Sequence, residues 1–295
     1  MIKRTIYIGN PSYLKLKQKQ LVVEDPETKV LKGIVPIEDV GILMLDHYQI
    51  TISNQLLLQL QGNNVAVIIC DEHHLPLGMM LPMFGHSEYS ERIKHQLAAS
   101  EPLKKQLWKQ TVEQKIKNQK AVLDLNQKVS KPLEEYRLTV KSGDSANREG
   151  IAAQYYWKHL FENFSRERFG EAPNNLLNFG YAVLRSIVAR ALVSSGLLPV
   201  LGIFHRNKYN PYCLADDIME PYRPFVDKLV YNYILSSTNS DLTKVAKATI
   251  LTIATQDVLI DGLVRPLFVA VTTTTASLYK CYSGELRQIK YPELD

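Results

Sequence analysis

Cysteine is scarce in this sequence. The 295-residue chain holds three cysteines, Cys70, Cys213 and Cys281, which lie far apart without any paired spacing. An odd number of widely separated cysteines indicates reduced thiols in a cytosolic protein. It also excludes the zinc clusters that are built from closely spaced cysteine pairs.

Long apolar runs are missing too. No window approaches the roughly 18–20 uninterrupted apolar residues that a bilayer-spanning helix requires. The N-terminal segment MIKRTIYIGNPSYLK lacks the apolar stretch of a secretory signal. We therefore expect a soluble cytoplasmic protein that does not contact membranes.

Three common catalytic signatures are absent as well. The sequence has no Gly-x-Ser-x-Gly nucleophile elbow, no glycine-rich phosphate loop ending in Lys-Ser or Lys-Thr, and no glycine-rich dinucleotide fingerprint. These absences disfavour a serine hydrolase, a nucleotide-hydrolysing enzyme and a nicotinamide- or flavin-dependent enzyme.

The pattern of apolar residues divides the chain into two unequal parts. Short β-branched runs separated by Gly, Asn, Pro and Asp fill the first eighty residues, with a short helix capped by Ser53 among them. Beyond Pro82 the apolar residues recur three and four apart, which predicts helices. The sequence predicts an α+β protein: a small β-rich domain (1–82), a linker with a short helix (83–100) and a larger all-α catalytic domain (101–295).

Six longer helices are expected in the second part. Their predicted spans are 103–123, 151–164, 176–193, 221–235, 242–260 and 263–275. The first of them is rich in lysine: residues 101–131 hold eight lysines against three acidic residues, a surplus of five that equals the surplus of the whole chain. A solvated helix face and a surface that binds the nucleic-acid backbone both fit this pattern.

Acidic residues cluster beside prolines within GIFHRNKYNPYCLADDIMEPYRPFVD (202–227). Asp217 and Glu220 are three residues apart, so a helix would direct both carboxylates to one side. Pro221 and Pro224 lack the N–H that would bond to the carbonyl four residues earlier, so the helix must begin or open here. His205 lies upstream across a turn-rich segment that can fold back to the acids, although an ordinary core histidine is the alternative.

Two further segments carry groups that could bind a ligand. Glu149 lies in the first turn of a predicted helix, where the helix dipole alone would also favour it, and small residues follow it. The segment CDEHH (70–74) is rich in metal-ligand types, but adjacent side chains diverge, so a polar turn after a strand accounts for it.

Three separated blocks resemble one known family: SGDSANREGIAAQYYWKHLF, NNLLNFGYAVLRSIVARALVSSGLLPVLGIFH and NPYCLADDIMEPYRPFVD. They are similar to the CRISPR-associated spacer-acquisition integrases, the larger subunit of the adaptation machinery, and look closest to the type II version. The resemblance implies metal ligands at Glu149, His205 and Glu220, with Asp217 as a supporting acid. Many relatives have two adjacent histidines where this chain has Phe204 and His205, and others have aspartate at the position of Glu220.

The resemblance also implies the reaction. The 3′-hydroxyl of a short prespacer duplex attacks a phosphodiester at the border of a CRISPR repeat, with Mg²⁺ or Mn²⁺ as the cofactor. Implied partners are double-stranded DNA, a second copy of the chain, a small ferredoxin-like second adaptation subunit in a heterohexamer and other type II adaptation and effector proteins, all in the prokaryotic cytoplasm. The expected DNA contacts are Lys104, Lys105, Lys109, Lys115, Lys117, Lys120, Asn178, Tyr181 and Arg206.

Two other functions are compatible with the same residues. One is a general metal-dependent nuclease that cuts branched or single-stranded DNA with water as the nucleophile. The other is a scaffold that binds DNA and the second subunit without catalysing any reaction.

Overall fold

The structure is a computed structural model that describes residues 3–83, 85–167, 170–237 and 239–294. The chain forms two compact units, Met1–Ser87 and Glu88–Asp295. The predicted linker and short helix, residues 83–100, span the division between the units and contain the helix Tyr89–Ala98. A β-rich unit followed by a helix-rich unit is the predicted α+β arrangement, and it is confirmed.

Within its described residues, the first unit contains two four-stranded sheets, one α-helix and the 3₁₀ turn Ile37–Asp39. Its strands are β1 (Arg4–Ile8), β2 (Ser12–Lys17), β3 (Gln20–Glu24), β4 (Leu31–Pro36), β5 (Val40–Leu45), β6 (Ile50–Ile52), β7 (Ala66–Cys70) and β8 (Pro76–Met80). The sheet orders are β1-β5-β7-β8 and β4-β3-β2-β6. Helix α1 (Asn54–Gly62) buries Leu56 and Leu60 in the core of this unit, and the Ser53 hydroxyl accepts the N–H of Leu56, as the predicted cap requires.

The second unit is built from nine helices within its described residues. They are α2 (Tyr89–Ala98), α3 (Glu101–Leu125), α4 (Lys131–Leu138), α5 (Arg148–Leu160), α6 (Asn174–Ser194), α7 (Cys213–Met219), α8 (Arg223–Ser236), α9 (Lys244–Leu251) and α10 (Leu267–Tyr282). Helix α6 lies in the core, where α8 approaches so closely that a Cβ on Gly180 would meet Val226 at 2.4 Å. By length and composition α6 could cross a membrane, but 83% of its apolar window is buried within the protein, as in the core helix of a soluble protein.

The second unit also contains strands where only helices were expected. Strands β9 (Asp257–Ile260), β10 (Leu263–Pro266) and β11 (Pro292–Glu293) form an antiparallel sheet of order β10-β9-β11. The predicted helices over 242–260 and 263–275 were therefore wrong for residues 257–260 and 263–266. Asp261 and Gly262, with φ of 54° and 74°, form the two-residue turn between β9 and β10. An Asp-Gly pair between short apolar runs favours this hairpin turn and interrupts any helix.

Candidate active site

The segment between α7 and α8 carries Glu220 on a tightened turn. Residues Glu220–Tyr222 form a 3₁₀ turn in which the carbonyl of Asp217 accepts the N–H of Glu220 and the carbonyl of Glu220 accepts the N–H of Arg223. The helix therefore opens at Pro221, one of the two predicted outcomes, and the 3₁₀ bonds replace those that the prolines remove. The carbonyl of Pro221 accepts a hydrogen bond from the Asn118 side chain of α3 at 2.7 Å.

Asp217 lies one turn before Glu220 and is fully buried. Its carboxylate accepts backbone N–H groups from Ile203 at 2.7 Å, Phe204 at 3.0 Å and His205 at 3.2 Å. The chain passes close to α7 here because residue 202 is glycine: a Cβ would meet the His205 carbonyl at 2.4 Å and Asp217 Oδ2 at 2.8 Å. Burial raises the pKa of Asp217, and its hydrogen bonds from His205 and the Phe204 N–H lower it only in part.

The fourth bond to Asp217 comes from the imidazole of His205. His205 Nδ1 lies 2.5 Å from Asp217 Oδ1, so Nδ1 carries the proton and Nε2 is left to accept. The hydrogen bond to Asp217 raises the pKa of His205 against the opposing effect of burial. A carboxylate behind an imidazole fixes its orientation and tautomer as a metal ligand. Asp217 thus orients His205, and the structure does not support its predicted role as a supporting metal ligand, because four donors already occupy its oxygens.

Glu149 is held at the start of α5 by an aspartate that the sequence reasoning missed. Asp144 accepts the backbone N–H of Arg148 at 2.8 Å through Oδ1 and that of Glu149 at 3.0 Å through Oδ2. These bonds satisfy N–H groups that the first turn of a helix leaves free. The signal was present in SGDSANRE, since aspartate shortly before a helix favours a cap.

The carboxylates of Glu149 and Glu220 meet at one buried ammonium group. Lys115 Nζ of α3 contacts Glu149 Oε1 and lies 2.6 Å from Glu220 Oε2, while Arg223 Nε lies 2.9 Å from Glu220 Oε1. Burial would raise the pKa of Glu220, but Arg223 and Lys115 together hold it below its usual range. Burial likewise would lower the pKa of Lys115, but the two glutamates outweigh this and raise it. The site is thus a compact set of charges: two carboxylates, one ammonium and one guanidinium.

The donor set suits a hard or borderline divalent cation. As the side chains stand, no three His, Cys, Asp or Glu groups within residues 3–83, 85–167, 170–237 and 239–294 are placed to hold a metal together. Two of the predicted ligands, Glu149 and Glu220, are brought together at Lys115, and His205 is directed by Asp217. Carboxylate oxygens suit Mg²⁺ and Mn²⁺, and an imidazole nitrogen favours Mn²⁺ between the two.

The lysines predicted to bind DNA differ in their surroundings. Lys115 is buried in the carboxylate cluster, which contradicts its predicted role as a surface contact. The remaining five lie on the outer faces of α3. Four of them pair with acidic side chains: Lys104 with Glu101, Lys109 with Glu113, Lys117 with Glu293, and Lys120 with Asp124. Because exposed pairs of this kind are worth little, they leave the lysines available to phosphates.

The three remaining residues that were predicted to contact DNA are Tyr181, Asn178 and Arg206. Tyr181 is buried and, with Tyr156, donates to the carboxylate of Asp227, so a direct contact with substrate is not supported for it. The Asn178 side chain accepts from Arg166 Nη2 at 2.6 Å. Arg206 is exposed and pairs with Glu101.

In the first unit, the segment CDEHH forms a turn after β7, the polar turn proposed from sequence. His74 Nδ1 lies 2.8 Å from the buried carboxylate of Asp46, and His73 and Glu72 are exposed.

The chain thus has a β-sheet unit followed by a helical unit, and the helical unit brings two glutamates to one lysine and holds a histidine against a buried aspartate. The family model of "CRISPR associated protein Cas1" matches residues 6–263. The chain therefore belongs to the Cas1 family.

One curated relative and two solved structures show what the chain is similar to. The CRISPR-associated endonuclease Cas1 of Neisseria meningitidis serogroup C (strain 8013) is 39% identical over 247 residues, which is 82% of this chain and 80% of that protein. A solved structure of a casposase bound to an integration product superimposes with a TM-score of 0.80 at 21% identity, over 98% of this chain and 92% of that one. A chain of a Cas6-RT-Cas1–Cas2 complex superimposes with a TM-score of 0.77 at 19% identity, over 100% of this chain and 36% of that one. At these identities the two structures show a shared fold.

Proposed function

We propose that this protein is a divalent-metal-dependent DNA endonuclease and integrase of CRISPR adaptation. It inserts short prespacer DNA into the repeat array by transesterification with the prespacer 3′-hydroxyl. The observation that carries the proposal is the meeting of Glu149 and Glu220, from α5 and the 3₁₀ turn, at one buried cation. The names of the relatives agree with it: the meningococcal protein is an endonuclease, and the casposase is bound to an integration product.

The chain supplies position and charge for this reaction, and the DNA supplies the nucleophile. Glu149, Glu220 and His205 Nε2 would hold Mg²⁺ or Mn²⁺, which lowers the pKa of a bound hydroxyl and stabilises charge on the reacting phosphate. Asp217 keeps the proton of His205 on Nδ1 and so keeps Nε2 available as a ligand. Arg223 balances the charge of Glu220 from the side of the buried Tyr181 ring, which its guanidinium covers at 4.6 Å. No serine or cysteine nucleophile is needed.

The outer faces of α3 are proposed to bind the DNA backbone. Lys105 is exposed, and Lys109, Lys117 and Lys120 form only exposed or half-exposed ion pairs. Phosphates compete well for such lysines because their binding releases condensed counterions. These contacts would position DNA without reading its sequence.

The proposed assembly has one supporting comparison. The name of one structural neighbour includes Cas2, which supports a small second subunit as partner. We propose a homodimer that joins this ferredoxin-like subunit in a heterohexamer in the prokaryotic cytoplasm, with the β-rich first unit as the dimerisation and partner-binding part. Other type II adaptation and effector proteins would join it during acquisition.

The decisive experiment is the joining of a labelled prespacer into a supercoiled plasmid that carries the repeat, in Mn²⁺. Glu149→Gln, His205→Ala and Glu220→Gln are each expected to reduce joining by at least about a hundredfold, since catalytic metal chemistry supplies several kcal/mol. Glu113→Gln is the matched control, because Glu113 pairs with Lys109 on the outside of the same helix.

A prespacer with 3′-deoxy ends tests the nucleophile. Joining should vanish with this substrate, whereas a general nuclease that uses water would still cut the target. A wild-type rate of strand transfer in the presence of a chelator, or in both glutamate variants, would overturn the proposal, because neither the metal nor its proposed ligands would then be needed.

A further inference from the structure

Lys115 occupies an unusual place for a lysine. It lies on α3 among buried side chains, with 7% of its surface exposed. Its Nζ contacts one oxygen of Glu149 and lies 2.6 Å from one oxygen of Glu220. Lysine is almost never buried to this degree unless it is paired. The side chain therefore stands between the two glutamates as their shared cation.

The charges of this cluster balance without any metal ion. Lys115 and Arg223 supply two positive charges, and Glu149 and Glu220 supply two negative charges. A divalent cation added to the same buried volume would leave an excess of two positive charges. Uncompensated charge in a buried site is costly, so an added cation favours the departure of one already present.

The ammonium group and a metal ion held by both glutamates would also compete for the same pair of carboxylates. Lys115 Nζ contacts Glu149 Oε1 and lies 2.6 Å from Glu220 Oε2, and the other oxygen of Glu220, Oε1, lies 2.9 Å from Arg223 Nε. The two cations cannot occupy one point between the carboxylates. Of the two cationic side chains, Lys115 has the flexible four-carbon stem and a compact, rotatable head, so it is the one that can withdraw.

We propose that Lys115 is an internal counterion that takes the position of the metal ion between Glu149 and Glu220 and withdraws when the metal binds. This inference rests on the metal site of the proposed function. Lys115 is a positioning residue: it keeps the two ligands together in the metal-free protein, and it lowers the apparent affinity for the metal. Its anchor is α3, which is tied to the turn that carries Glu220 by the bond from Asn118 to Pro221.

Removal of the ammonium should strengthen metal binding. The probe is Mn²⁺ alone, titrated calorimetrically into the full chain without DNA, for wild type and Lys115→Met. If the ammonium occupies the site about nine-tenths of the time, the apparent affinity of the wild type is reduced about tenfold, and the variant recovers that factor. Lys120→Met is the matched control, because Lys120 lies on the outside of the same helix and pairs with Asp124; its affinity should equal that of wild type.

Stability separates this role from a purely structural one. Lys115→Met should unfold at a lower urea concentration than wild type in EDTA, because the buried Glu220 and the half-buried Glu149 lose their shared partner. In saturating Mn²⁺ most of that difference should disappear, since the metal replaces the ammonium. An equal loss of stability in EDTA and Mn²⁺ together with an unchanged affinity would overturn the inference, and so would a weaker affinity. Absence of Mn²⁺ binding by wild type would overturn the proposed metal site as well.

A measurement on the wild type covers the case in which Lys115→Met does not fold. Amines react with an acylating reagent at rates that depend on their accessibility, and the modified lysines can be counted by mass spectrometry of peptides. Saturation with Mn²⁺ should raise the labelling rate of Lys115 several-fold and leave that of Lys120 unchanged. An unchanged or lower rate at Lys115 would show that the ammonium stays in place and would overturn the inference.

Discussion

Replacement of Asp217 by asparagine tests how the histidine of the site is held. In the wild type, Oδ2 accepts the N–H groups of Ile203 and Phe204, and Oδ1 accepts the N–H and the Nδ1 proton of His205. Asparagine has one acceptor oxygen, which can replace Oδ2. Its NH₂ group then faces the two donors of His205, which lose their acceptor.

The size of the effect follows from those bonds. Each hydrogen bond to a charged acceptor contributes roughly 1.5–3 kcal/mol, so the loss of two amounts to about 3–6 kcal/mol. Part of this is offset because asparagine does not have to bury a charge, a cost that the raised pKa of Asp217 reflects. We expect Asp217→Asn to reduce the free energy of unfolding by about 2–4 kcal/mol and to weaken Mn²⁺ binding about 10–100-fold through misorientation of His205.

Urea denaturation and Mn²⁺ titration measure the two effects, and Asp216→Asn is the matched control. Asp216 is the neighbouring buried acid, and it pairs with Arg185 Nε and Asn210 Nδ2 at 2.6 Å each instead of with His205. Its substitution should leave Mn²⁺ affinity close to that of wild type. Loss of Mn²⁺ binding without loss of stability in Asp217→Asn would refute the reasoning, because it would make Asp217 a direct ligand.

Two further predictions concern a buried acid and the lysines of α3. Burial raises the pKa of Asp227 to about 7. Between about pH 4 and pH 7 the folded protein therefore binds a proton that the unfolded chain has released. The free energy of unfolding decreases as pH rises through this range. Asp227→Asn should lose less stability than wild type between pH 5 and pH 8 in urea denaturation, and equal losses would contradict the shift. The double variant Lys117→Gln, Lys120→Gln should reduce the dependence of log K for duplex DNA on log [salt] by about 0.9 per lost phosphate contact, and an unchanged slope would show that this face is only solvated.

Each predicted ligand has a local signature in the sequence, and the structure shows where that signature places the side chain. Paired acids before Pro221 and Pro224 mark a helix that must open, and the structure has a 3₁₀ turn there. Glu149 is in the first turn of its helix as expected. The different roles of these acids could not be predicted from sequence. Their spacing places Asp217 and Glu220 on one side of a helix, but tertiary contacts decide the partner of each. Asp217 accepts the backbone N–H groups of residues 203–205, and Glu220 pairs with Lys115.

The sequence does indicate that Lys115 is buried, but the high net charge of its segment drew attention away from this. The buried stripe of α3 runs through Trp108, Val112, Lys115, Gln119 and Val122, so the lysine occupies a core position at helical spacing. A lysine in an apolar stripe predicts a buried partner of opposite charge. Counted with seven other lysines, it looked like one more residue of a basic surface. The hairpin at Asp261-Gly262 was missed for a similar reason, since helical spacing on both sides outweighed a two-residue turn signal.

The geometry of the site is set by α3 and not by the segment that carries the acids. Asn118 bonds to the Pro221 carbonyl at 2.7 Å and also to the backbone of the C-terminal residues Pro292 and Leu294. One turn earlier on the same helix, Lys115 holds the side chain of Glu220 and that of Glu149. Helix α3 therefore fixes both the backbone and the carboxylate of the 3₁₀ turn, which explains how two glutamates more than fifty residues apart in sequence meet. The arrangement of the site depends on a helix that contributes none of the predicted ligands.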